Sequence, residues 1–173
     1  MNTIGTIDSS QSDILIKMQR SIVAYLAGTR NKFNGFVEMN NEEIEKASLE
    51  FSLNINDDKT KLKSKNHQLK LTDFPEIQEN PIISFKSTSF QKVNKHINFL
   101  RGNLTIKNVT KVVELDTEFL GIKAQNGVNK ALFEVTGDIN QNDFDLALTS
   151  NTHKGMKTKG KNIKLIANLE FTF

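Results

Sequence analysis

Apolar and polar residues alternate with a period of two along most of the chain. The clearest example is "SLEFSLNIN", one face of which carries Leu49, Phe51, Leu53 and Ile55. This period places successive side chains on opposite faces of a β-strand, so such segments are predicted to be half-buried strands. Similar segments lie at 14–18, 23–28, 82–90, 97–106, 112–119, 132–139 and 163–173. The pattern therefore predicts about eight strands.

Two segments depart from this alternation. The run "KLKSKNHQLKLTDF" is predicted to form a short helix in the connection around residues 60–75, closed off before Pro75. The run "NEEIEKA", residues 41–47, fits a single helical turn. The rest of the chain is expected to be β-structure.

The predicted strands and their large inward side chains favour a barrel. Successive strands joined by short turns pair antiparallel, and about eight of them can form an up-and-down barrel or a two-sheet sandwich. Large inward side chains favour the eight-stranded antiparallel barrel, with an apolar interior that includes Phe51, Phe85, Phe119 and Phe133. A barrel of this size has room for its own side chains or one small ligand. The 173 residues are expected to form a single domain, 1–173.

Composition narrows the choice of partners only slightly. The formal net charge is +3, so nucleic-acid binding is not implied by charge alone, and the absence of cysteine excludes disulfides and thiolate chemistry.

The N-terminus lacks the basic start and apolar core of an export signal. We expect a cytoplasmic protein if Met1 is native, and a periplasmic one if an export signal has been removed.

One stretch resembles a phosphate-binding loop. "GMKTKGKN", Gly155 to Asn162, matches the pattern G-x-x-x-x-G-K-[ST] except that Asn162 replaces the hydroxyl residue. The pattern also needs a following helix, whereas the residues after it alternate as in a strand. This stretch is therefore interpreted as a lysine-rich hairpin tip.

Charged and titratable residues suggest few specific sites. Lysines cluster at 59–70 and 154–164, which suits a nucleic acid, an anionic membrane surface or simply a solvated face. His67, His96 and His153 are far apart in sequence, and no metal site is expected from them.

The order of several motifs resembles a known family. These motifs are "FNGFVEM" (33–39), "LKLTDF" (69–74), "NPIISFKSTSF" (80–90), "GNLTIKNVTKVVELDTEFLG" (102–121) and "GDINQNDFDL" (137–146). From about residue 6 to the C-terminus the chain resembles the YceI-like family of polyisoprenoid-binding proteins. The resemblance implies a lipocalin-like eight-stranded barrel with a helix in one connection. It also implies a long isoprenoid or similar lipid inside the barrel, frequent homodimerisation and usually a periplasmic location.

Several polar motif positions differ from the family pattern. Asn66 and Gln68 stand at positions that are usually acidic and histidine, and Gln141 and Asp145 replace an arginine and a glycine. Arg20 stands where a histidine is frequent. The apolar positions persist, so these changes affect expectations about a headgroup or partner more than expectations about the fold.

The leading functional hypothesis is non-enzymatic storage or transport of a long-chain apolar lipid inside the barrel. An isoprenoid quinone or a polyprenyl phosphate is the expected ligand, no other cofactor is expected, and nucleic acid is not an expected partner. Contact with a membrane surface is left open. Leu69 and Phe74 are predicted to lie at the mouth. The predicted lining residues are Tyr25, Phe51, Leu53, Phe85, Leu104, Ile106, Phe119, Phe133, Val135, Phe144 and Leu165.

Two alternatives belong to other functional classes. A lipid-modifying enzyme would need a carboxylate such as Asp73 or Asp143, buried against the tunnel with a raised pKa, as general acid or base. A basic module for membranes or nucleic acids would use the lysine clusters, and its binding would weaken steeply with salt.

Overall fold

The described part of the molecule consists almost entirely of β-strands. The structure is a computed structural model that describes residues 2–18, 21–29, 31–54, 82–95, 97–144 and 162–173, excluding the side chains of 21–23. Its strands are β1 (Thr3–Ile7), β2 (Asp13–Met18), β3 (Ser21–Ala27), β4 (Lys32–Asn40), β5 (Glu43–Asn54), β6 (Ile82–Lys92), β7 (Asn98–Ile106), β8 (Val109–Gln125), β9 (Val128–Asn140) and β10 (Asn162–Thr172).

These strands form one antiparallel sheet that closes on itself. The order is β1-β4-β5-β6-β7-β8-β9-β10-β2-β3, and β1 also pairs with β10. Both β1 and β2 pair with β10, and they are separated only by a short connection with a 3-10 turn at Ser9–Gln11. Likewise β3 pairs with β2 while β4 pairs with β1. If each interrupted pair is counted as one strand, the fold is the predicted eight-stranded up-and-down barrel.

The strand directions give the barrel two distinct ends. The lower end carries Thr3, Phe173 and the turns that join β4 to β5, β6 to β7 and β8 to β9. The upper end carries the β7–β8 turn and the strand ends at Asn54, Ile82 and Asn140. Because antiparallel neighbours run in opposite directions, each connection stays at its own end.

Three two-residue turns make tight hairpins between neighbouring strands. Residues 41–42, 107–108 and 126–127 all have positive φ, between 50° and 77°. Positive φ at both central residues defines a type I′ turn, whose twist matches that of the flanking strands. The Asn126–Gly127 pair is the residue combination that this turn favours most, and it joins β8 to β9.

The helical turn predicted at 41–47 is wrong, because β5 begins at Glu43. Ile44 pairs with Met39 and Ala47 pairs with Val37, so β5 contains one residue more than β4 between these pairs. This β-bulge puts Ile44 and Ala47 on the same face although they are three positions apart. Their helix-like spacing in the sequence is thus produced by a bulged strand.

Inward apolar side chains fill the upper half of the barrel. Phe33, Phe51 and Phe85 lie opposite one another on β4, β5 and β6, with ring centroids 6.2 Å and 5.4 Å apart. Phe144, on a 3-10 turn after β9, is fully buried and extends this packing toward β8 and β9. Among the described residues, these buried rings fill part of the upper interior at the density that is usual for protein cores.

Two other sequence predictions concern the segments before β10 and before β6. A strand, β10, starts at Asn162, which confirms that no helix follows the loop-like stretch at 155–162. The helix expected around 60–75 lies outside the described residues. Among the residues that the structure describes, there is no helix long and apolar enough to span a membrane.

Ionic and hydrogen-bonding contacts reinforce the seam where β1 and β10 close the barrel. Lys130 Nζ lies 2.7 Å from Glu170 Oε1 and 3.5 Å from Asp8 Oδ2. The backbone N–H of Asp8 donates to the carbonyl of Glu170 at 2.7 Å, and the N–H of Glu170 donates to Ser12 Oγ at 3.2 Å. Since β1 and β10 share only two register pairs, these contacts supply much of the attachment at the seam.

Two pKa values at the seam are displaced in opposite directions. Hydrogen bonds from Ser10 hold the pKa of Asp8 below its ordinary value of 3.8, and Lys130 adds to this effect. The hydrogen bond to Glu170, with a smaller contribution from Asp8, raises the pKa of Lys130. Both shifts favour the charged forms that make the seam contacts.

We predict that Asp8→Asn weakens the acid dependence of stability. Because the folded pKa of Asp8 is lowered, its contribution is complete above the unfolded value of 3.8 and is lost as pH falls through the folded value. The difference in urea midpoint between wild type and Asp8→Asn should therefore shrink as pH falls from 7 to about 2.5. A difference that stays constant over this range would contradict the role assigned to Asp8.

Candidate ligand-binding site

The lower half of the barrel interior contains a small apolar cavity. Its volume is about 20 Å³, and Thr117 is the only one of its lining residues with a polar side chain. The cavity lies between strands on both sides of the barrel rather than along one wall. Its lining residues are Val37, Ala47, Leu100, Thr117, Phe133, Val135, Leu169 and Phe171.

A larger open groove lies beside this cavity. It has a volume of about 450 Å³ and combines apolar, hydroxyl, amide and carboxylate side chains. The residues that line it are Ile97, Asn98, Phe99, Asp116, Thr117, Glu118, Glu134 and Thr136.

The groove exists because two neighbouring strands end at different heights. The β7 ladder with β8 begins at the pair Asn98 and Thr117, whereas β8 continues to Gln125. Beyond Thr117, β8 pairs with β9 but has no β7 partner among the described residues. The wall of the barrel is therefore lower at β7 than at β8, and the groove lies beside this step.

Thr117 borders both the cavity and the groove. Its register partner Asn98 lines the groove. Opposite residues of an antiparallel pair project to the same face, so both side chains belong to the inward set of their strands. The other groove residues on β8 and β9, namely Asp116, Glu118, Glu134 and Thr136, alternate with buried residues and so face outward. The groove therefore lies on the outer face of the sheet, and Asn98 and Thr117 lie at its boundary with the interior.

Aromatic side chains form much of the cavity wall. Phe133 contacts Phe171 edge to face, with a centroid distance of 5.3 Å, and also contacts Phe119 at 5.3 Å. Phe119 is only partly buried, at the lower end of the barrel. Such rings provide a large apolar surface for a chain-like ligand.

Most predicted lining residues that the structure describes point inward, but few of them line the cavity. Phe133 and Val135 do so. Phe119 is partly buried against the core. The others are buried as core residues, and their part in ligand binding stays a prediction: Phe51, Leu53, Phe85, Leu104, Ile106, Phe144 and Leu165.

The prediction that Tyr25 lines the interior is wrong. Tyr25 is 37% exposed, and its hydroxyl donates to Asp13 Oδ2 at 3.1 Å on the outer surface. The inward residues of β3 in this part are Ala24 and Leu26, both buried. The sequence pattern was misleading because Ala24 is small, so the larger Tyr25 appeared to define the apolar face.

Other predicted residues lie outside the described part of the chain. They are Leu69, Phe74, Asp73, His67, His96, His153 and the lysine clusters apart from Lys164. Asp143 is described, and it is exposed on the 3-10 turn after β9 rather than buried against a tunnel. Within the described ranges, no three histidine, cysteine or acidic residues are grouped closely enough to hold a metal ion.

Sequence reasoning missed the polar pair, although the pattern contained a signal. In "INFLRGNLTI", Asn98 is in phase with Leu100, Leu104 and Ile106, which are inward and buried. Thr117 is likewise in phase with the buried Leu115. A polar residue at an apolar phase position marks an interior polar site.

The closed antiparallel barrel, with an apolar cavity and one open groove at its lower end, places the protein in the lipocalin-like class of β-barrels. The model of the YceI-like domain matches residues 6–171. The chain therefore belongs to the YceI-like family.

Individual relatives agree with this assignment. A UPF0312 protein of Staphylococcus epidermidis is 27% identical over 169 residues, which cover 95% of each chain. Protein YceI of Salmonella newport is 27% identical over 131 residues, covering 75% of this chain and 68% of that protein.

Solved structures show the same fold. BcnA of Burkholderia cenocepacia superposes with a TM-score of 0.62 at 17% identity, covering 95% of this chain and 98% of that one. The YCEI protein of Campylobacter jejuni gives a TM-score of 0.55 at 23% identity, covering 88% of each chain.

We predict that Leu100→Ala enlarges the cavity at a large cost in stability. Leu100 is 2% exposed and lines the cavity, so its truncation should lower the free energy of unfolding by about 2–5 kcal/mol. Benzene should then raise the melting temperature of the variant more than that of the wild type. Leu120, which is 53% exposed on β8, provides the control Leu120→Ala, which should stay within about 0.5 kcal/mol of wild type. Equal effects of the two substitutions would contradict the cavity.

Proposed function

We propose that this protein binds one long apolar molecule in its barrel without chemical conversion. The observation that carries the proposal is the cavity in the lower barrel, which is lined by apolar side chains and by Thr117. Such a geometry suits a molecule with a long apolar chain and a small polar end. Each CH₂ group removed from water contributes about 0.8 kcal/mol, so a chain binds firmly with few polar contacts.

The ligand must displace side chains in order to enter. A cavity of about 20 Å³ has room for little more than one water molecule, far less than a lipid chain needs. Phe133, Leu169 and Phe171 line this cavity, and rotation of their side chains would enlarge it. The observed affinity is then the intrinsic affinity reduced by the fraction of molecules in the open arrangement.

For the ligand class, we propose an isoprenoid or a lipid of similar length, held for storage or transport. Family membership supports this class, and the apolar lining fits it. Homodimerisation and a periplasmic location stay predictions. Leu120 and Ile122 are exposed on β8, but nothing in the structure shows what covers them.

The enzymatic alternative gains no support from the described residues. Asp143 is exposed, and the buried Glu170 is paired with Lys130 at the seam and is not part of the cavity lining. A general acid or base would need a buried carboxylate that faces the ligand. Binding alone accounts for the arrangement of these residues.

We predict that filling the cavity weakens binding. Ala47→Leu adds apolar volume to the cavity wall, and affinity for decylubiquinone should fall about tenfold or more, equivalent to 1.4 kcal/mol. The control Ala124→Leu makes the same change at an exposed position of β8 and should bind as wild type does. Binding is measured by native mass spectrometry after circular dichroism has shown that both variants are folded.

Salt provides a second readout of the same titration. Binding inside the barrel should change little between low and high ionic strength, because the apolar contribution does not depend on charge screening. Unchanged affinity in Ala47→Leu, or a steep loss of wild-type affinity with salt, would contradict the proposal.

A further inference from the structure

The seam between β1 and β10 has the least backbone pairing in the described part of the barrel. Only Thr6 with Thr172 and Ile7 with Phe171 are register partners there. The other neighbouring strands share more register pairs, from four between β1 and β4 to eleven between β9 and β10. Local opening of a folded protein begins where few contacts hold the backbone, so the barrel wall should open first along this seam.

The apolar cavity lies behind the same seam. Val37 on β4 and Phe171 on β10 both line the cavity. Their register partners on β1 are Gly5 and Ile7, respectively. Because opposite residues of an antiparallel pair project to the same face, Gly5 and Ile7 also face the interior. A gap between β1 and β10 would therefore lead from the surface to the cavity.

The side chains that close the seam on its inner face are few. Gly5 has no side chain, and a Cβ at this position would lie 2.9 Å from the ring of Phe173, which covers the glycine. Ile7 and Phe173 are both only partly buried against the core. Movement of β1 away from β10 would therefore separate two partly buried side chains and would leave the fully buried core in place.

A side-chain contact closes the seam beyond Ile7. Lys130 on β9 reaches over β10, with its Nζ atom 2.7 Å from Glu170 Oε1 and 3.5 Å from Asp8 Oδ2. Asp8 directly follows β1, so the contact between Lys130 and Asp8 spans the seam. Beside it lies the backbone hydrogen bond from Asp8 to Glu170. These contacts can break and re-form while the pairing between β9 and β10 stays intact.

We propose that the apolar ligand enters and leaves the barrel sideways, between β1 and β10, and that the contact between Lys130 and Asp8 acts as the latch of this opening. The inference rests on the proposed function and adds the route to the cavity. A lateral opening admits a long chain along its length, so the head of the ligand need not pass through the interior. Entry through the lower end of the barrel is the alternative that the test has to separate.

A disulfide across the seam provides the test. Thr6 and Thr172 are register partners that alternate with inward residues, so they face outward and a bond between them leaves the cavity unchanged. Opposite residues of an antiparallel pair have Cα atoms about 4.5–5.5 Å apart, which suits a disulfide. The chain has no cysteine, so Thr6→Cys/Thr172→Cys introduces the only two thiols. The control Thr105→Cys/Thr110→Cys joins β7 to β8, where the two hydroxyl oxygens are 2.8 Å apart.

The measurement is the exchange of decylubiquinone between protein and phosphatidylcholine vesicles, followed by native mass spectrometry. We predict that the oxidised seam variant takes up and releases decylubiquinone at least tenfold more slowly than its reduced form, because its open state is no longer populated. The control disulfide should leave both rates as they are in the reduced control. Protein loaded before oxidation should retain its ligand until the disulfide is reduced, which would exclude a damaged site as the cause of slow uptake.

The latch is tested by a second pair of variants. Asp8→Asn removes the charge that holds Lys130 across the seam and keeps the contact between Lys130 and Glu170, so exchange should become about threefold faster or more. Asp138→Asn makes the same change at an exposed position of β9 and should leave the rate unchanged. Occupancy at equilibrium should change little in either variant, since neither residue lines the cavity.

The possible outcomes separate the route from the function. If the oxidised seam variant exchanges decylubiquinone as fast as its reduced form, or if the control disulfide slows exchange equally, the lateral route is wrong although barrel binding stands. If Asp8→Asn exchanges no faster than wild type, Lys130 and Asp8 do not form the latch. Failure of wild type to take up decylubiquinone at all would instead count against the proposed function.

Discussion

The interior of a closed eight-stranded barrel has to be filled, and this requirement governs the rest of the structure. Every second side chain of each strand points inward, where backbone groups are already paired and water has little room. In the upper half, Phe33, Phe51 and Phe85 meet this requirement by packing against one another. In the lower half a small apolar cavity remains.

Closure of the barrel depends on a seam with few backbone pairs. Only two register pairs join β1 to β10, and Lys130 with its two carboxylate partners supplements them. Away from the seam, β7 begins at Asn98 while β8 continues to Gln125, so the wall is lower at β7 than at β8. The sheet stays closed although neighbouring strands differ in length.

The fold followed from the sequence because period-two alternation reports strand faces directly. The alternation of Leu49, Phe51 and Leu53 is observed as an inward face, and all three are buried. Prediction failed where geometry interrupts the period, as at the β5 bulge that gave Ile44 and Ala47 a helical spacing. Prediction also failed at Tyr25, because its large side chain was expected to face inward, whereas the smaller Ala24 is the buried residue.

The candidate site was less predictable than the fold. Whether an inward residue packs or lines a cavity depends on contacts across the barrel, as between Val37 and Phe133, which no local pattern contains. The step in the barrel wall at Asn98 depends on the relative lengths of two strands. Only the phase of Asn98 and Thr117 among apolar residues was visible in the sequence.

The most direct test of the account is to locate the ligand chain by NMR. Protein with labelled methyl groups would be saturated with decylubiquinone, and intermolecular NOEs from the decyl chain would be recorded. If the ligand lies inside the barrel, NOEs to the methyl groups of Val37, Leu100 and Leu169, which line the cavity, are expected. NOEs confined to Leu120 and Ile122, which are exposed on β8, would place the ligand outside the barrel and contradict the central claim.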